Sequence, residues 1–202
     1  MIKKLFPLTK NKIEILKFIY DNKETHLSEI SKTLGIHPFS VQKTLKSVKS
    51  LLNEKKAGKT IRLDINKNLK EYFELCFFIE DYKLETKDKI LALLIKNLQE
   101  FFSKDDNIIS CIIFGSFARG AYSKKSDIDL LLIVKTKQEE IAKKISQIGS
   151  VLSREITPII MNEKEFNAAI KIKEPTIVSI LEPSQRLLVV GKEYFLKKVF
   201  DK

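Results

Sequence analysis

Two aspartates one residue apart, Asp127 and Asp129, lead directly into the apolar run Leu130-Leu131-Leu132-Ile133-Val134. The run reads as a buried strand. On a strand, residues two apart face the same way, so Asp127-Ile128-Asp129 presents two carboxylates side by side while Ile128 turns into the core. Paired hard anionic oxygens suit Mg²⁺ or Mn²⁺, which takes its remaining oxygens from a phosphate chain. Upstream, Ile108-Ile109-Ser110-Cys111-Ile112-Ile113-Phe114 forms a second apolar strand that runs into Gly115-Ser116, where a helix is predicted to begin. Glycine lets a phosphate approach the backbone, a helix start offers N–H groups, and Ser116 adds a hydroxyl donor. Arg119, one turn further on, either helps with phosphates or pairs with a carboxylate.

Ten residues, 117–126, separate Ser116 from Asp127. Gly-Ser, ten residues, Asp-x-Asp resembles the signature of the polymerase-β-like nucleotidyltransferases. The string Gly115-Ser116-Phe117-Ala118-Arg119-Gly120 through Ser126-Asp127-Ile128-Asp129-Leu130 is similar to their small prokaryotic branch, the minimal nucleotidyltransferases. The resemblance spans about 88–200. It implies metal-dependent transfer of a nucleoside monophosphate from an NTP, with ATP the expected one, to a hydroxyl acceptor. It also implies a third carboxylate on a neighbouring strand, which completes the metal site with Asp127 and Asp129 and can take the acceptor's proton. The segment Glu155-Ile156-Thr157-Pro158-Ile159-Ile160-Met161 is taken as that strand, and Glu155, which opens it, as that carboxylate; the alternative is a structural acid at a strand start. Glu163 and Glu165 are expected to begin the next helix, where the dipole favours acids. Lys124 and Lys125 face either nucleotide or solvent. Members of this branch modify proteins, RNA ends or small molecules, and some act as antitoxins to HEPN-type toxins, so a HEPN-type partner is among those implied.

The elements that must position these residues follow from periodicity. A helix is expected at 137–152, Pro158 marks its strand as an edge, and the tail supplies a helix near Ile177–Leu181, a strand Arg186–Val190 and a closing helix. Ahead of the domain, helices are expected at about 67–84, carrying Leu69, Tyr72, Phe73, Cys76 and Ile79, and at about 88–104. The first of these could pack on either domain or on a second copy of the chain, making a homodimer. Before it, apolar positions predict a helix at 10–21, a short second helix capped by Ser28 and stopped at Gly35, and a third beginning near Pro38 that buries Val41, Leu45, Val48 and Leu52. The third shows Ser40, Gln42, Lys43, Lys46 and Lys49 on its other face, donors and cations suited to a major groove. A hairpin turning at Ala57-Gly58 adds Lys59 and Arg62. Leu27–Ile36 resembles the entry of prokaryotic winged-helix regulators.

Composition agrees with this division. Of the net charge of +11 over 202 residues, residues 1–70 carry +10 (16 Lys/Arg against 6 Asp/Glu). A surface made basic only for solubility would not be divided so unevenly, whereas a phosphate-neutralising module would. Cys76 and Cys111 have no metal-ligand spacing and read as reduced core residues, and His26 and His37 read as helix-boundary residues. No apolar run approaches the length of a membrane span, and no signal peptide is visible, so the chain is expected to stay in the cytoplasm. The fold expected is α+β: a winged helix-turn-helix at 1–66, a connecting helix at 67–87, and at 88–202 a nucleotidyltransferase-type domain whose mixed sheet is flanked by helices. The function expected is a Mg²⁺- or Mn²⁺-dependent nucleotidyltransferase with a duplex-DNA-binding module. The alternatives are a DNA-binding regulator that only senses nucleotide, or an N-terminal module that docks protein or RNA.

Overall fold

The structure, a computed structural model, describes residues 9–86, 88–136 and 139–200. They form two compact units divided between Ile79 and Glu80.

In the N-terminal unit, α1 (Lys10–Asp21) buries Ile15, Leu16, Ile19 and Tyr20, a stripe at helical spacing. Helix α2 (Leu27–Leu34) ends at Gly35, whose φ of 64° is the left-handed closure that glycine adopts without strain. Ser28 is not its cap: the helix starts one residue earlier, and the cap position is His26. Helix α3 (Pro38–Ser47) starts with Pro38 in its first turn and His37 Nδ1 accepting the Phe39 N–H at 3.3 Å. It is shorter than its apolar spacing suggests. Val48 breaks the helical dihedrals, a 3₁₀ turn follows, and Leu52 opens β1 (Leu52–Ala57). Buried side chains at steps of three and four continue past the helix end, which periodicity alone does not mark. Strand β1 pairs antiparallel with β2 (Thr60–Ile65), and Leu63 bridges to Thr25, so the wing is tied back to the helices.

Helix α4 (Tyr72–Lys83) begins later than the apolar stripe from Leu69 implies, after a turn. Helix α5 (Lys89–Phe102) is capped by Asp88. The C-terminal unit is built on four strands, β3 (Ile108–Phe114), β4 (Ile128–Val134), β5 (Ile156–Asn162) and β6 (Arg186–Val190), in the order β5-β4-β3-β6. Strand β3 runs antiparallel to β4 and β6, while β4 and β5 are parallel, so the sheet is mixed. Pro158 sits on the edge strand β5, where its missing N–H costs no ladder bond. Ile128, Leu130, Leu132 and Val134 pack with α5 and α7 (Glu139–Leu152) in one continuous core; the expected helix start at 137 lies outside the described residues. Helix α8 (Glu163–Lys171) contacts β4 and β5, and α10 (Lys192–Phe200) contacts β3. Asn162 and Glu165 close a reciprocal capping box on α8, which accounts for the acids there. Helix α9 (Pro175–Leu181) completes the unit. No helix among the described residues is long and apolar enough to cross a membrane.

One feature of this core is charged. Glu80, fully buried, meets Arg186 at 2.9 Å and Lys83 at 3.2 Å. Lys83 donates to the Pro183 carbonyl at 2.6 Å, and Arg186 donates to the carbonyls of Ile180 and Leu181 and lies 5.0 Å above the Phe195 ring. The three side chains thus hold the segment that joins α9 to β6. Removing one partner from a buried ion cluster leaves the others uncompensated, so Glu80→Ala should lower unfolding stability by about 3–5 kcal/mol. Lys197→Ala, which breaks the exposed 2.6 Å pair with Glu193, should change it by less than about 0.5 kcal/mol. Urea unfolding of both variants measures the contrast.

Candidate active site

The β3–β4 register pairs Phe114 with Asp129, so the last residue of one strand lies beside the start of the other. The next residue, Gly115, has φ 68°, and a side chain there would collide with the Asp129 carboxylate. Asp129 thus lies directly on the Gly-Ser turn, over backbone that only glycine leaves open. Asp127 stands exposed just before β4, on the same side of the strand by parity. Helix α6 is a single turn, Gly115–Ala118, with Ser116 half-buried in it.

Partial burial, and then the negative charge of Asp127, push the Asp129 carboxyl above its ordinary range, while Arg119 opposes them. Two neighbouring carboxylates form a donor set suited to a divalent cation, which relieves the repulsion that Asp129 meets. Arg119 is exposed and donates to Gln185 Oε1 at 3.1 Å. Gln185 immediately precedes Arg186, and Arg186 pairs in register with Phe114. The buried ion cluster therefore lies one residue behind the groups that border the turn.

The loop before Asp127 is held from the other flank. Arg154 donates from one nitrogen to the carbonyls of Ser123 and Ser126, at 3.0 and 2.9 Å. Its guanidinium also sits 5.3 Å from the Phe117 ring and 5.6 Å from Tyr122, which are stacked 3.9 Å apart. Neither Arg154 nor Gln185 is marked by sequence reasoning. The only local hint is that each directly precedes the residue opening a strand or its approach.

The parallel register sets Thr157 beside Asp129. Glu155 is exposed, just before β5, and its carbonyl accepts the Ile128 N–H at 2.9 Å. It lines, with Gly149, Arg154 and Pro158, a groove of about 310 Å³ between β5 and α7. Among the described residues, no group of three or more His, Cys, Asp and Glu is gathered closely enough to hold a metal ion. The structure brings Asp127, Asp129, Gly115, Ser116 and Arg119 together, and leaves Glu155 at the margin.

In the N-terminal unit Ser40, Gln42, Lys43 and Lys46 are exposed on α3, Lys49 on the following turn, and Lys59 and Arg62 on the wing. Arg62 is bound to Glu24 at 2.6 Å and Lys49 lies 3.9 Å from Glu54, so part of this charge is compensated.

A three-helix unit with a wing, followed by a mixed sheet bearing an Asp-x-Asp pair on a Gly-Ser turn, defines a helix-turn-helix domain joined to a nucleotidyltransferase-fold domain. Residues 9–62 match the family described as M protein trans-acting positive regulator (MGA) HTH domain, and residues 96–180 match polymerase beta, nucleotidyltransferase. No curated protein matches the chain significantly. Among solved structures, it is similar to a toxin-antitoxin crystallised with AMP-PNP, at 18% identity over 55% of this chain and 83% of that one, with a TM-score of 0.35. It is also similar to a Sulfolobus solfataricus protein assigned as a nucleotidyltransferase, at 24% identity over 54% and 84%, with a TM-score of 0.30.

A carboxylate whose folded pKa is raised contributes its full stability below the ordinary carboxylate range and loses it as pH rises through the raised value. At neutral pH an ionised Asp129 therefore costs stability in the metal-free protein. Asp129→Asn should raise the metal-free Tm at pH 7, and the gain should vanish as the pH is lowered to about 3, below the ordinary Asp value. Thermal melts of both proteins across that range measure it.

Proposed function

We propose that this chain transfers the nucleoside monophosphate of an NTP, ATP foremost, to a hydroxyl acceptor with release of pyrophosphate, using Mg²⁺ or Mn²⁺. The observation that carries the reading is the Asp129 carboxylate lying on side-chainless Gly115 with Asp127 beside it. Asp127 and Asp129 are the residues that would hold the ion, which when bound offsets charge on the phosphoryl oxygens. Gly115 lets the Asp129 carboxylate lie against the turn that would receive the triphosphate, and the Ser116 hydroxyl donates to a phosphate oxygen. Arg119, steadied by Gln185, offers charge-assisted donors to the same group. Glu155, at the head of the adjacent strand, takes the proton of the attacking hydroxyl.

A second reading is favoured by one observation, that Glu155 is not gathered with the aspartates. In it the domain binds nucleotide without turnover and adjusts the helix-turn-helix domain. DNA and nucleotide would then alter each other's affinity by the same factor.

Calorimetry should show NTP binding only with Mg²⁺ or Mn²⁺, and Asp127→Ala with Asp129→Ala should abolish it; metal-dependent binding that survives in the double variant would remove the central claim. With acceptor supplied from a lysate, wild type should release pyrophosphate. Glu155→Gln should keep NTP affinity while slowing release at least about 100-fold, the lower range for a general base. Nucleotide-coupled DNA affinity without release points to the sensor.

The N-terminal domain is proposed to bind duplex DNA, supported by its family match, its concentrated positive charge and the exposed cations of α3 and the wing. Affinity of the full chain should fall steeply with salt. Lys43→Ala with Lys46→Ala should reduce the slope of log K against log salt by about 0.9 for each phosphate no longer neutralised. If the wild type ignores duplex DNA at low salt, the domain docks protein or RNA instead.

A further inference from the structure

On α3 the residue most at odds with its surroundings is Phe39, 69% exposed on the face that also carries Gln42, Lys43 and Lys46. It does not serve the core of its own unit, which α3 enters through Val41. It is also firmly placed. Pro38 sets the first helical turn and His37 Nδ1 accepts the Phe39 N–H. Residues three, four and seven positions on, Gln42, Lys43 and Lys46, share its face of the helix, and all three are exposed. The stripe thus runs from an apolar ring through an amide to two ammonium groups.

Each part of that stripe has a counterpart in a major groove. Ammonium groups meet phosphates, and a glutamine amide pairs with adenine N6 and N7. The apolar feature of the groove is the thymine 5-methyl, which phenylalanine can cover. The first turn of a recognition helix is also the part that reaches base edges. We infer that Phe39 reads a thymine 5-methyl in duplex DNA next to an adenine read by Gln42, which gives the domain a preference for A·T steps. The inference rests on the proposal that this domain binds DNA. Charge complementarity supports duplex DNA over a protein partner here, because the ring is continuous with Lys43 and Lys46.

Uracil differs from thymine only by the methyl group, so the test uses the full-length protein with three duplexes of equal length: alternating dA-dT, alternating dA-dU and alternating dG-dC. Fluorescence anisotropy at one fixed salt concentration reads the affinities. Wild type should bind the dA-dT duplex tightest and prefer it to dA-dU by about fourfold for each methyl covered. Phe39→Ala, a change at an exposed side chain, should bind dA-dT and dA-dU equally. Lys43→Ala should weaken both while preserving their ratio. Equal wild-type affinity for dA-dT and dA-dU overturns the inference alone. So does a Phe39→Ala protein that keeps the methyl preference. Failure of wild type to bind any of the three duplexes overturns the DNA proposal and this inference with it.

Discussion

The site depends on an exclusion: the space a side chain at residue 115 would fill is taken by the Asp129 carboxylate. That close approach requires a backbone with positive φ at the end of β3, and it requires β3 and β4 to pair so that Phe114 meets Asp129. The antiparallel register, the glycine and the aspartate are therefore one constraint stated three ways. The approach also holds Asp129 against the turn and beside Asp127, where both burial and like charge resist its ionisation. Stability is given up locally so that two anionic groups can stand together against the Gly-Ser turn.

The rest of the unit braces that arrangement from two sides. On one side the buried charges of Glu80, Lys83 and Arg186 fix the entry to β6, and Gln185 on that entry holds Arg119. On the other, Arg154 ties down two carbonyls of the loop that delivers Asp127 and packs over stacked aromatic rings. The first brace is buried and costly to disrupt; the second is half-exposed and relies on directional hydrogen bonds.

Legibility in the sequence follows the range of the interaction. Strands β3 and β4 are visible as apolar runs with chemistry at their ends, the acids opening α8 as dipole-favoured residues, and Pro158 as the mark of an edge, because each signal is contained in a few neighbouring residues. The limits of α2 and α3 escape a local reading for a related reason: His26 caps without a side-chain bond, and Leu52 continues a helical spacing although it already belongs to a strand. Arg154, Gln185 and Glu80 are not legible at all. The partners that give them their roles lie 28, 66 and 106 residues away, and nothing in a local window, not even the Glu80–Lys83 spacing, separates such residues from ordinary surface polar groups. Glu155 shows the limit from the other direction. Its role is assigned by resemblance, and the register sets Thr157 beside Asp129 while Glu155 stands just ahead of that strand, its carbonyl bonded to Ile128.

The buried ion cluster also determines where this chain can be taken apart. The family likeness begins at residue 96, and the sequence offers a seam near residue 88, yet the carboxylate that neutralises Arg186 lies upstream of both, on the last turns of α4. A gene fusion or domain exchange that broke the chain at residue 88 would bury the Arg186 guanidinium without the Glu80 carboxylate that it meets here. The heritable unit therefore begins at or before Glu80. An exchanged N-terminal module would keep this ion cluster intact only if these turns of helix stayed with the sheet.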